Sequence, residues 1–269
     1  MNIKKILKIQ ITLLLIFSFT VDLQAADIVD DFIYISPEKE KKMGQAISKQ
    51  VEKQYDAVED PFVQERFDEI GQKVAAVCDR QEFVYHFKVL KAGEGPEENY
   101  YNAFALPGGY VYMFDKLMEE LGTDDKIAAV VAHEIGHICG KHVVRRLQGS
   151  LGASALMLLA MVTANDPRSV GEANQAIGQL MMAYSREDEF EADKLSVKYL
   201  KDAGFNPEGV VQSLYTLKEL RKDGREMRYR FYKSHPYLSE RISAVRTEIK
   251  GYMDFDSYIN IPADGEVLR

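Results

Sequence analysis
IAAVVAHEIGHICGKH, residues 127–142, is an Ala/Val/Ile-rich run that carries His133, Glu134 and His137 in its middle. Thr123 followed by Asp124 and Asp125 supplies an N-cap and an acidic first turn. Lys141, Arg145 and Arg146 put positive charge at the far end, so the pattern predicts one long helix reaching Leu147. Each helical residue turns by roughly 100°, so His133 and His137 project about 40° apart and both reach a single tetrahedral metal ion. Glu134 stands about 100° from His133, beside the water such an ion holds, where it can act as a general base. Unpaired imidazoles and a carboxylate in so apolar a helix would be costly, and a bound metal removes that cost.

A catalytic zinc takes three protein ligands and leaves the fourth position open. A third histidine ten residues after His133 is one option, but that position is Val143. His142 projects about 180° from His133 on a continuous helix, which predicts a surface or supporting position for it. The other option is a carboxylate from a later helix, and Ser185-Arg186-Glu187-Asp188-Glu189-Phe190-Glu191-Ala192-Asp193 offers several. Glu189 and Asp193, one turn apart, can divide the work: one binds the metal, the other accepts the free N–H of a ligating histidine. Spacing favours Glu189 over Glu187 or Glu191 only slightly, because an acidic run also suits a helix N-terminus.

Upstream of this core, Pro37 opens a helix over Glu38–Val58, and Asp60-Pro61 opens a second carrying Phe62, Phe67, Ile70, Val74 and Val77. From Glu82 to Leu90 the period changes to two, with Phe83, Tyr85, Phe87 and Val89 on one face and His86 on the other. Asn102–Leu106 and Tyr110–Phe114 flank Pro107-Gly108-Gly109 as a strand pair, with Phe104, Tyr110 and Phe114 expected in the core. Downstream, helices are expected over 174–203, stopped by Gly204, then over Pro207–Leu220 and Ser239–Lys250. The fold class is therefore α+β, mostly helical, with a small sheet beside the HExxH helix.

Length and composition agree with one sizeable core. The 269 residues are 46% hydrophobic and 28% charged with only 18 Gly and 8 Pro, which excludes collagen-like, disulfide-framework and wholly disordered chains. A net charge of −8 argues against a nucleic-acid partner. Cys78 and Cys139 allow at most one disulfide. Residues 1–25 join Lys4, Lys5 and Lys8 to an apolar run of about a dozen residues and a small-residue exit at Ala25-Ala26. This is the pattern of a secretory signal peptide cleaved after Ala25, leaving 26–269 as the working domain in a periplasm. Leu151–Ala164, about 14 apolar residues, is too short to span a bilayer and is expected to be a buried or membrane-dipping arm, allowing peripheral membrane contact.

These motifs together resemble the zinc metallopeptidases of the HtpX and CAAX-prenyl-protease type, and among them the exported, soluble periplasmic group. The resemblance is carried by Ile35–Gly44, Asn102–Met113, Ala128–His142, Tyr184–Asp193, Ala203–Pro207, and Ser234-His235-Pro236 with Glu240-Arg241-Ile242. It implies a gluzincin-like peptidase domain with one Zn2+ per chain that hydrolyses misfolded or envelope polypeptides. By the same resemblance His133, His137 and Glu189 are the zinc ligands, Glu134 the base and Asp193 the supporting carboxylate. His235 is then either a fourth zinc ligand or an oxyanion donor, and an extended peptide adds to the Asn102–Phe114 strands. Arg186 and Arg241 are open between positioning roles and structural pairing. About 20 residues follow Lys250, so the helical repeat module of some relatives is not expected here. The alternative reading is a chaperone-like holdase or assembly factor with latent proteolytic activity.

Overall fold
The computed structural model describes residues 35–93, 101–151, 184–220 and 235–251, with side chains as far as residue 146 in the second stretch. All but residues 35 and 36 lie in one compact unit, Pro37–Arg269; those two belong to the other, Met1–Ser36. The expected signal peptide, the apolar arm beyond Leu151 and the expected helical stretch 174–183 lie outside the described residues.

Helix α1, Pro37–Gln54, starts at its proline and ends four residues before Val58. The chain is needed elsewhere: Ala57 bridges Leu90, and the Val58 N–H donates to the Val89 carbonyl. Helix α2, Pro61–Ala75, begins where Asp60-Pro61 predicts, because the Asp60 carboxylate accepts from the Phe62 N–H and the proline has no N–H to leave unpaired. Strand β1, His86–Leu90, is shorter than expected, yet the alternation holds: Phe83, Tyr85, Phe87 and Val89 are buried while Val84 and His86 are exposed. Strands β2, Ala103–Leu106, and β3, Tyr110–Phe114, form the expected hairpin. Gly108 and Gly109 make its turn possible at φ of 76° and 101°, which side chains disfavour. β3 also pairs with β1 in parallel, giving the order β1-β3-β2 and placing β3 at the centre. Phe104 and Phe114 are buried as expected, while Tyr110 is half-buried and stacks on His86.

Helix α3, Asp115–Leu121, leads into α4, Asp124–Cys139, whose residues Ile127–Ile138 are all buried. The expected single helix to Leu147 is in fact two. Lys141 adopts the left-handed region, φ 56°, and α5, His142–Leu151, starts afresh after it. The break folds His142 back over the end of α4: a Cβ built on Gly140 would meet the His142 ring at 2.3 Å. Helix α6, Arg186–Ala203, is capped by Ser185 at one end and by left-handed Gly204 at the other. Helices α7, Glu208–Leu220, and α8, Leu238–Lys250, complete the core. α4 packs most extensively on α6, with α7, α2 and β2 around it. The α4/α6 crossing is tight at Gly136, where a Cβ would come 3.0 Å from the Ala192 Cα and carbonyl oxygen. Two small residues thus let the acidic helix approach the HExxH helix closely.

Candidate metal centre
Four side chains from three segments converge: His133 and His137 from α4, Glu189 from α6, and His235 from just before α8. One donor atom of each lies within 4.8 Å of all the others, and all four residues are buried. His133 Nε2 is 3.1 Å from His137 Nε2, 3.2 Å from His235 Nδ1 and 3.5 Å from Glu189. Glu189 Oε1 is 3.5 Å from His137 Nε2 and 3.0 Å from His235 Nδ1. Donors held about 2.0–2.1 Å from one tetrahedral ion stand roughly 3.3 Å apart, so this spacing fits a single zinc-sized cation.

The outer partners fix which nitrogens face inward with lone pairs. His133 Nδ1 is 3.0 Å from Asp193 Oδ1 and donates to it, leaving Nε2 as the donor toward the cluster. His137 Nδ1 is 2.8 Å from His142 Nδ1, and His142 Nε2 is 3.2 Å from Glu191 Oε2. The Glu191 carboxylate requires a proton on His142 Nε2, so His142 Nδ1 accepts and His137 Nδ1 donates. Both Nε2 atoms of the HExxH pair are then turned on each other at 3.1 Å, an arrangement satisfied either by a proton on His133 Nε2 or by a cation between them. Burial holds His137 neutral, with its pKa well below the ordinary value. Burial also works against the His133 imidazolium, but Asp193 and Glu189 outweigh it and raise its pKa to about 9. The field that draws a proton onto His133 draws a cation equally, and the two compete.

Glu134 is completely buried, and neither carboxylate oxygen accepts a hydrogen bond among the described residues. His235 Nε2 stands 3.5 Å from its Oε1. Such an oxygen pair in a dry site is poised to take a proton from something that enters.

The sequence profile of peptidase family M48 matches residues 61–249. The chain belongs to peptidase family M48. Metalloprotease LoiP of Escherichia coli K12 is 30% identical over 148 residues, 54% of this chain and 57% of its own length. The β-barrel assembly-enhancing protease of the same strain is 24% identical over 181 residues, 64% of this chain and 36% of its own. Metalloprotease YcaL of that strain is 33% identical over 159 residues, 55% and 58% respectively. The chain thus matches between about a third and three fifths of the length of these relatives. In M48 terms it carries a metallopeptidase domain of α+β architecture.

Further side chains surround the four donors. Arg241 on α8 reaches Asp193 through Nε and Nη2, each at 2.7 Å, and Glu189 Oε2 through Nη1 at 2.7 Å. Burial alone would raise both carboxyls; the nearby charges, His235 and Arg241 for Glu189 and Arg241 for Asp193, reverse this and lower both, Glu189 well below the usual range. Arg186, by contrast, is exposed and pairs with Glu240. Of the two arginines only Arg241 belongs to the site. His142 is fully buried, in the supporting one of its two expected positions and not on the surface; the Lys141 turn, which the continuous helix did not foresee, carries it to the outer nitrogen of His137. Tyr184 stacks on His137 with ring centroids 3.6 Å apart, and Arg146 covers the tyrosine at 3.4 Å. The sequence signal for His142 is its offset of five from His137 across Gly140-Lys141. For Tyr184 there is none beyond its place two residues before α6.

Proposed function
We propose that the chain is an exported zinc metalloendopeptidase that hydrolyses peptide bonds in misfolded or envelope polypeptides. His133, His137 and Glu189 are its zinc ligands, Glu134 its general base and Asp193 the carboxylate that orients His133. The observation that carries this reading is the buried set of donors spaced for one ion beside a Glu134 carboxylate that accepts no hydrogen bond among the described residues. Zinc, when bound there, polarises the scissile carbonyl and acidifies a water. Glu134 takes that water's proton and hands it to the departing amine nitrogen. Arg241 and Asp193 keep the His133 ring fixed while charge changes beside it.

His235 has Nδ1 among the ligand atoms and Nε2 toward Glu134, so it is the fourth ligand of a resting state and must swing aside for a peptide. β2 pairs only with β3 among the described residues, which supports its other edge as the seat for an extended peptide. The relative named for enhancing β-barrel assembly supports envelope polypeptides as substrates. Residues 1–25 direct export with cleavage after Ala25, and Leu151–Ala164 makes the peripheral membrane contact.

The test is degradation of an unfolded protein by the purified chain beside Glu134→Gln, with zinc quantified in both. Cleavage by wild type, reduced by about 10²–10⁴-fold in the variant at equal zinc, is expected. Unchanged turnover in the zinc-loaded variant refutes the mechanism. The seated His235 also favours a second reading, a holdase with latent activity. Suppression of client aggregation by Glu134→Gln at wild-type strength would favour it.

A further inference from the structure
Glu189 turns both of its carboxylate oxygens toward the histidines. Oε2 lies 3.5 Å from His133 Nε2, and Oε1 lies 3.5 Å from His137 Nε2. Carboxylates ligate through one oxygen or through both, and these equal distances by themselves favour neither mode. The oxygens differ in what else they touch. Arg241 Nη1 stands 2.7 Å from Oε2, an ion pair rather than an aligned hydrogen bond, whereas Oε1 faces His235 Nδ1 at 3.0 Å. Both partners of the ion pair are buried, so solvent screens it little. Arg241 is also held in place. Its Nε and Nη2 each donate to Asp193 at 2.7 Å, and Nη1 donates to the His235 carbonyl at 3.4 Å, so the planar fork is fixed on both of its edges. Asp193 is fixed in turn by His133 Nδ1 at 3.0 Å.

We propose that Arg241 is a positioning residue that confines Glu189 to ligation through one oxygen, Oε1, by occupying Oε2. The inference rests on the assignment of His133, His137 and Glu189 as metal ligands. A cation bound by both oxygens would share Oε2 with the guanidinium, and two positive charges in a dry site repel strongly. A cation on Oε1 stays on the side of His137 and His235 and leaves Oε2 to the arginine. The consequence is coordination capacity. A catalytic zinc keeps one position open and expands by one more during reaction, and a chelating carboxylate would consume that capacity. By holding Oε2 back, Arg241 reserves it for water and the scissile carbonyl.

The experiment loads the purified full chain with zinc, measures metal per chain and records X-ray absorption at the zinc edge, with visible spectra of the cobalt-loaded protein beside it. Wild type is expected to show four nitrogen or oxygen neighbours, the intense visible bands of four-coordinate cobalt, and none of the close carbon that a chelating carboxylate brings. Arg241→Gln removes the charge but keeps a donor for Asp193. It is expected to gain a fifth neighbour and the close carbon, with cobalt bands several-fold weaker. A merely structural arginine would change stability or metal affinity but not the neighbour count in loaded molecules, so an unchanged count overturns the proposal. His235→Ala supplies the test if Arg241→Gln fails to fold. There Arg241 is intact, so Glu189 is expected to stay on one oxygen with solvent in the vacated position, and a chelate overturns the proposal. Folded wild type that binds no metal refutes the ligand assignment and this inference with it; metal held by a chelating Glu189 in wild type refutes this inference alone.

Discussion
Gly136→Ala sets two effects against each other, and the structure decides how they divide. Alanine is favoured over glycine in a helix interior by about 1 kcal/mol. The new methyl, however, would sit 3.0 Å from the Ala192 Cα and carbonyl oxygen, both backbone atoms that no rotamer change can move. Relieving that contact takes a few tenths of an ångström between α4 and α6, and overpacking of this kind costs about 1–3 kcal/mol. Net destabilisation is therefore about 0–2 kcal/mol, a Tm loss of no more than about 8 °C in a domain of this size. The metal centre is less forgiving. α6 carries Glu189 and Asp193, and ligand distances tolerate only about ±0.2 Å, so the same shift weakens zinc binding by roughly 10–100-fold. Competition against a chelating indicator, run beside melts of the metal-free protein, separates the two effects. Wild-type zinc affinity in a folded Gly136→Ala chain would refute the claim that this crossing sets the ligand geometry.

His142→Ala removes the outer partner of His137 and is expected to raise the zinc Kd by roughly 10–100-fold, measured by the same competition. Arg241→Leu leaves Glu189 and Asp193 buried without their cation, and urea unfolding is expected to show a loss of about 3–5 kcal/mol. His235→Ala opens the fourth position; peptidase rate on an unfolded substrate is expected to rise several-fold while zinc is retained, and an unchanged or lower rate counts against a resting role for His235.

Local signals read well wherever the structure obeys them locally. Asp60-Pro61 and Gly204 mark helix ends because capping is chemistry between neighbours. The pairing of His133 with His137, and of Glu189 with Asp193, follows from one turn of helix and needs no knowledge of the rest of the fold. His142 defeats the same wheel argument because a wheel assumes an unbroken helix. The break rests on a lysine in a left-handed conformation, for which Lys carries no special preference. Arg241 was indistinguishable from Arg186 in sequence, since what separates them is a reach of 48 residues to Asp193. The parallel β1–β3 ladder is equally silent, because alternation reports a strand's faces but not its neighbours.

Glu134 has a consequence for how such a domain can change. Its carboxylate is sealed from solvent, with no donor on either oxygen among the described residues, a condition the folded state carries as a standing penalty. An apolar residue of similar size would suit the surrounding Ala/Val/Ile packing better, so selection for robustness alone would erase this glutamate. In its proposed role as general base, Glu134 marks a compromise between durability and turnover, concentrated in one side chain.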